Sequence, residues 1–91
     1  MDIALKWWWF SFSDRRKGSR WLGGCYIQGT SFPDAHTNCT KLGINPGGEI
    51  QGHIVSKDTL PDEEYLNVLI TDMSKLQNHL DQKYKIPSLE A

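Results

Sequence analysis

The sequence predicts a small α+β domain: a three-stranded sheet in the order 2-1-3 with two helices, the C-terminal one long. Three observations carry this. Residues Lys6 to Ser13, Lys-Trp-Trp-Trp-Phe-Ser-Phe-Ser, concentrate three of the four tryptophans and contain no turn former, which predicts a strand. Two later sets of apolar residues, Phe32/Ala35/Cys39/Leu42 and Leu66/Leu69/Met73/Leu76/Leu80, recur at helical spacing. The chain of 91 residues is long enough for one core and too short for two. The domain is assigned to residues 1–85, and 86–91, which contain Pro87, are assigned to a tail.

Lys6 to Ser13 is expected to be the central strand. Side chains alternate along a strand, so Trp8, Phe10 and Phe12 form one face, read as core. Trp7, Trp9, Ser11 and Ser13 form the other, two indoles and two hydroxyls that read as a binding surface. Asp14 to Arg20 is then a polar turn with four cations and Gly18 for a positive φ. Its arginines present planar forks of donors suited to phosphate or carboxylate.

Trp21 to Gln28 makes the second strand, with Trp21, Gly23, Cys25 and Ile27 on one face and Leu22, Gly24, Tyr26 and Gln28 on the other. Glycines inside a strand mark a bulge or the approach of something bulky, here a neighbouring indole or a ligand. Thr30 or Ser31 caps a first helix, with Pro33 and Asp34 in its opening turn. Gly43 ends it in the left-handed conformation, and Ile44 folds back onto it. His36 reads as a partly buried, hydrogen-bonded histidine at the edge of the helix's apolar face.

Asn45-Pro46-Gly47-Gly48 is a type II turn by composition, and its backbone donors suit an anion-binding nest. Glu49 to Val55 is the third strand, with Ile50, Gly52 and Ile54 on one face and Glu49, Gln51 and His53 on the other. A second helix is expected from Asp62 to about Tyr84, roughly 34 Å long, against strands of some 23 Å. A helix overhanging its own sheet predicts a homo-oligomer joined through that helix.

A right-handed β-α-β crossover sets the third strand parallel to the second, on the far side of the first. The loops that precede these two strands, 14–20 and 45–48, then lie at the same end of the sheet. Stacking rings beside arginines are what a nucleotide requires.

Composition narrows the functional classes. The formal charge is −1, yet residues 1–41 hold six basic and three acidic side chains and residues 42–91 four and eight. That polarity favours a local anion site over a general nucleic-acid coat. No apolar run approaches the roughly 20 residues of a membrane span, and Met1 to Phe10 lacks the pattern of a signal peptide, so no membrane is expected and the chain is placed in the cytoplasm. Cys25 and Cys39 fall at apolar positions and are expected as free thiols. With two cysteines and three scattered histidines, no metal site is expected.

Trp-Trp-Phe-Ser-Phe-Ser-Asp (8–14), Gly18, Leu22-Gly23 and Leu-Gly-Ile-Asn-Pro-Gly-Gly-Glu-Ile-Gln-Gly (42–52) resemble small uncharacterised phage and bacterial proteins with a WFSF…G…LG…LGxNPGGE pattern. The resemblance spans roughly half of the chain and implies no catalytic residue. In size and style the chain is also similar to phage anti-defence sponges, compact oligomers that sequester cyclic nucleotide or cyclic ADP-ribose signals. That likeness implies a viral protein acting in the host cytoplasm.

The expectation is a protein that is not an enzyme, uses no cofactor, and binds a phosphate-containing small molecule of the cyclic nucleotide or ADP-ribose kind. The expected site comprises Trp7, Trp9, Ser11, Ser13, Arg15, Arg16, Arg20, Asn45, Gly47, Gly48, Gln51 and His53. No order of nucleophile, histidine and acid is evident. A single-stranded RNA or DNA binder using sheet aromatics stands as the second choice, and a structural or protein-interaction module as the third.

Overall fold

A computed structural model describes residues 4–85. The assigned tail at 86–91 and Met1 to Ile3 of the lead-in lie outside the described residues. The order of elements is β1 (Lys6–Asp14), β2 (Arg20–Gly29), α1 (Phe32–Lys41), β3 (Glu49–Val55) and α2 (Met73–Lys83), with short 3-10 turns between several of them. The sheet order is β2-β1-β3, and β1 runs antiparallel to both neighbours. The central aromatic strand, its two partners and the 2-1-3 order stand as the sequence predicts.

The alternation of β1 divides the interior into two clusters. Trp8, Phe10 and Phe12 are buried and pack with Cys25, Ile27, Ala35 and Cys39, so α1 covers this face. The Phe10 ring lies 5.0 Å from that of Phe32, and the Trp8 indole N–H donates to the Gly29 carbonyl at 3.0 Å. Two glycines make room for these rings: a Cβ at Gly52 would collide with Phe10, and one at Gly24 with Trp9. Close packing of aromatics, one of the two readings of the β2 glycines, is what the structure shows at Gly24. Cys25 and Cys39 face each other at 3.7 Å between sulfurs, unbonded, and burial raises both thiols above their ordinary pKa.

The ends of α1 follow local chemistry. The Ser31 hydroxyl accepts from the Asp34 N–H, and the Asp34 carboxylate accepts from the Thr30 N–H at 2.8 Å and from its hydroxyl. At the other end Gly43 takes φ 73°, while the Ile44 N–H reaches the Cys39 carbonyl and the Gly43 N–H that of Thr40. Leu42, expected in the apolar stripe, is instead 53% exposed because it occupies the cap.

The C-terminal third departs from expectation. The second helix is the longer of the two, at eleven residues against ten, but it starts at Met73 and not at Asp62. Residues 66–70 run along the outer edge of β2. Gly24 and Ile70 exchange reciprocal backbone bonds of 2.9 and 2.7 Å, and the Asn67 N–H donates to the Tyr26 carbonyl at 3.0 Å. Asn67 has φ 60°, which ends any helix there, and Val68, Ile70 and Thr71 are β-branched and favour an extended chain. The helix begins where the Asp72 carboxylate accepts from the Lys75 N–H at 3.1 Å. Leu76 is 2% exposed, and Leu80 packs with it against the Trp7 and Trp9 face. The helix that was to overhang the sheet packs on it through Leu76 and Leu80, while Met73 of the expected seam is 41% exposed.

Three consequences are measurable. Phe10→Ala removes a fully buried ring, and the denaturant midpoint should report a loss of about 3–5 kcal/mol. Asp72→Ala removes the cap of α2 and should cost about 1 kcal/mol in the same assay. The Thr30 N–H holds the Asp34 carboxyl below its ordinary pKa, so this contribution is complete above about pH 4 and is lost as pH falls through the lowered folded value. Asp34→Asn should therefore lie below the unmodified protein in thermal stability at pH 7, with the gap closing on acidification below about pH 4.

Candidate functional site

The second face of the sheet is built from Trp7, Trp9, Ser11 and Ser13 of β1 with their cross-strand partners. Registers pair Trp9 with Tyr26 and His53, Ser11 with Gly24 and Gln51, and Ser13 with Trp21 and Glu49. The register of β1 and β2 shifts between Phe12 and Ser13, and Leu22 is the extra residue. This bulge transfers Trp21 from the Cys25 face, where simple alternation sets it, to the Ser11 face. The Trp21 indole N–H donates to the Ser11 hydroxyl at 2.9 Å, and Leu22 packs on the α1 side.

This face is covered at one end only. Trp7 and Trp9 pack with Tyr26, Ile70, Leu76 and Leu80, and the Trp9 ring lies 4.9 Å from Tyr26. The two indoles expected to stack on a ligand are half-buried packing residues. Trp9 is also five residues from Asp14, about 17 Å along the strand, too far to share a small ligand with the basic loop. Toward that loop Ser11, Ser13 and Trp21 are half-buried and Glu49, Gln51 and His53 exposed, a polar shelf with one indole at its border.

The two loops meet at this end, as the topology requires. The Asp14 carboxylate accepts from the Arg16 N–H at 3.0 Å and closes a 3-10 turn, and Gly18 and Ser19 return the chain with φ 71° and 62°. Arg15 Nε reaches Glu49 Oε2 at 2.5 Å, which ties the first loop to the start of β3. Arg16 lies 3.7 Å from its neighbour Asp14, and Arg20 is exposed with no ion pair among the described residues. Gly48, at φ 78°, sits against the Ser13 carbonyl, where a Cβ would collide.

Two expected ligand groups are committed within the fold. The Gly47 N–H donates to the Asn45 side-chain carbonyl at 2.9 Å, which removes one donor from the nest. The Asn45 amide contacts His36 Nε2 at 3.1 Å and the Thr40 hydroxyl at 3.0 Å, anchoring the loop to α1. His36, half-buried and bonded, is the structural histidine expected. Asn45 thus positions the loop, while Arg15, Ser13, Gln51 and Gly48 remain at the shelf or its rim. Arg20 pairs with Asp14, one position from Trp21 and so on the opposite face, and His53 lies opposite Trp9, at the far end.

The sequence reading missed two groupings. Trp21 beside the arginines was concealed by the bulge, of which the paired glycines were the visible signal. Asp62, Glu64 and His79 also converge, with one ligand atom from each lying within 4.8 Å of the others. Asp62 and His79 already have partners. His79 Nε2 accepts from the Asp62 N–H at 3.0 Å, the Lys83 ammonium lies 2.9 Å from the Asp62 carboxylate, and the His79 ring sits 4.4 Å from that of Tyr65. The hydrogen bond from Lys83 lowers the Asp62 pKa, and the group fastens the chain before residue 66 to α2.

No family model matches the chain, and neither does any curated protein or solved structure compared with it. No helix among the described residues is long and apolar enough to cross a membrane.

The bond from Trp21 to Ser11 sets the indole at the border of the shelf. Ser11→Ala should cost about 0.5–1.5 kcal/mol by chemical denaturation and raise the quenching of indole fluorescence by iodide, because Trp21 loses its fixed position.

Proposed function

We propose that this chain is a non-catalytic binding protein that sequesters a compact phosphate-bearing nucleotide on the polar shelf at the loop end of the sheet. The observation that supports this most is the meeting of the basic β1–β2 loop with the start of β3, beside the Trp21 indole on an uncovered stretch of sheet. In this reading a base stacks on Trp21, the Ser13 hydroxyl and the Gln51 amide meet its polar edge, and Arg15 takes the phosphate. The Arg15 side chain is 75% exposed, so a phosphate can replace Glu49 as its partner without breaking into the core. Two free thiols suit a reducing compartment, and the reading sets the protein in the cytoplasm.

The line of exposed Gln51 and His53 beyond Trp21 favours one second reading, a short single strand of RNA or DNA laid across the sheet. Salt separates the two. A ligand with one or two phosphates loses little affinity with salt beyond its own ion pairs, whereas a strand touching several phosphates shows a log–log slope near the number of contacts.

Calorimetric titration with a panel of mononucleotides and cyclic nucleotides, at two salt concentrations, should find a binder that is recovered chemically intact after heat release. Arg15→Ala should weaken it about tenfold or more, in line with about 1.5–3 kcal/mol per charged hydrogen bond. Trp21→Ala should do likewise, with circular dichroism checking the fold. Binding undiminished in both variants removes the shelf from the site. A steep salt slope with an oligonucleotide transfers the assignment to single-stranded nucleic acid, and a chemically altered ligand makes the protein an enzyme.

A further inference from the structure

The two outer edges of the sheet are treated differently. Along β2 the segment 66–70 takes up edge donors and acceptors, through Gly24, Ile70, Tyr26 and Asn67. Along β3 no described segment does so, and the strand stands last in the sheet. A row of unpaired N–H and C=O groups is a template for another strand, and edges that must stay single commonly carry Lys, Pro or an inward-pointing charge. Glu49–Val55, Glu-Ile-Gln-Gly-His-Ile-Val, has no Lys or Pro, and its acid lies at the first position. Ile54 is 52% exposed at this edge, although its alternation assigns it to the face of Trp8 and Phe10.

We propose that β3 pairs antiparallel with β3 of a second copy of this chain about a two-fold axis at Gly52, making one six-stranded sheet. The strand is self-complementary in that register. Ile50 falls opposite Ile54 of the second copy on the α1 side, twice by symmetry, so the exposed isoleucine gains an apolar partner. Gln51 falls opposite His53 on the other side, an amide beside an imidazole. Glu49 falls opposite Val55 and diagonal to the position where Lys57 leaves the strand, so no like charges meet and opposite ones approach. A shift of one residue loses the Ile50–Ile54 pairing, which fixes the register. Strand addition of this kind draws its affinity from main-chain bonds and its specificity from alternate side chains. An axis normal to the sheet keeps equivalent faces together, so the two polar shelves adjoin at Gln51 and His53.

The test uses the full chain. Sedimentation equilibrium over a concentration series should give a species of twice the 10.4 kDa chain mass. Ile54→Lys changes an exposed side chain, should keep the circular dichroism of the unmodified protein, and should weaken dimerisation by at least about tenfold. In a Gln51→Cys/His53→Cys variant, mild oxidation with a disulfide oxidant should link two copies covalently, joining residue 51 of each to residue 53 of the other. A unmodified protein that stays monomeric throughout the series overturns the proposal. So does a dimer that Ile54→Lys leaves unchanged, or one that the paired cysteines fail to link.

Discussion

The structure depends on β1 burying both of its faces. A strand whose seven successive side chains from Trp7 to Ser13 include three indoles and two phenyl rings has no side that tolerates full exposure. One layer of helix satisfies only the Trp8, Phe10 and Phe12 face, so the C-terminal third must return to cover Trp7 and Trp9. Glycine in the neighbouring strands is the steric counterpart of this demand. Gly24 lies under the Trp9 ring and Gly52 beside the Phe10 ring, and a methyl group at either position meets ring atoms. These glycines lower strand propensity locally, and the aromatic burial they permit outweighs that cost.

Features encoded in a few adjacent residues were legible in the sequence. The alternation of β1, the Ser31 cap with Asp34, and the Gly43-Ile44 closure of α1 each follow from local geometry and appear as read. Errors arose where one pattern satisfied two periods. Leu66, Leu69, Met73, Leu76 and Leu80 step by three and four like a helix, while Leu66, Val68 and Ile70 step by two like a strand. The β2 edge decides between them, because the Gly24 N–H and carbonyl find partners only if the chain at Ile70 is extended. Asp72 was the local sign of where the helix starts, and the longer periodic run obscured it.

The candidate site was legible in its topology and less so in its side chains. Strand order alone brings loops 14–20 and 45–48 together, and the contact between Arg15 and Glu49 realises that proximity. Which aromatic ring faces the loops depends on a single inserted residue. With Leu22 accommodated as a bulge, Trp21 changes faces and becomes the ring nearest the arginines, while Trp7 and Trp9 serve as packing. Pairings such as Asn45 with His36 and Thr40 depend on how α1 packs beside the loop, which no local pattern encodes.

The position of the shelf follows from two lengths. The eleven residues of α2 rise about 16 Å, whereas the nine residues of β1 extend about 30 Å. The sequence suggests a helix longer than its sheet; in the structure the helix is shorter than the central strand. The uncovered remainder has to be polar, and the side chains there are Ser11, Ser13, Glu49, Gln51 and His53, with only the edge of Trp21 among them. The change from aromatic to hydroxyl along the second face of β1, Trp7 and Trp9 and then Ser11 and Ser13, marks the end of the cluster that Leu76 and Leu80 join. The same boundary separates residues that hold the fold from residues outside its packing, so substitutions at Gln51 or Arg15 cost the core little, whereas substitutions at Trp9 or Gly24 disturb the packing itself.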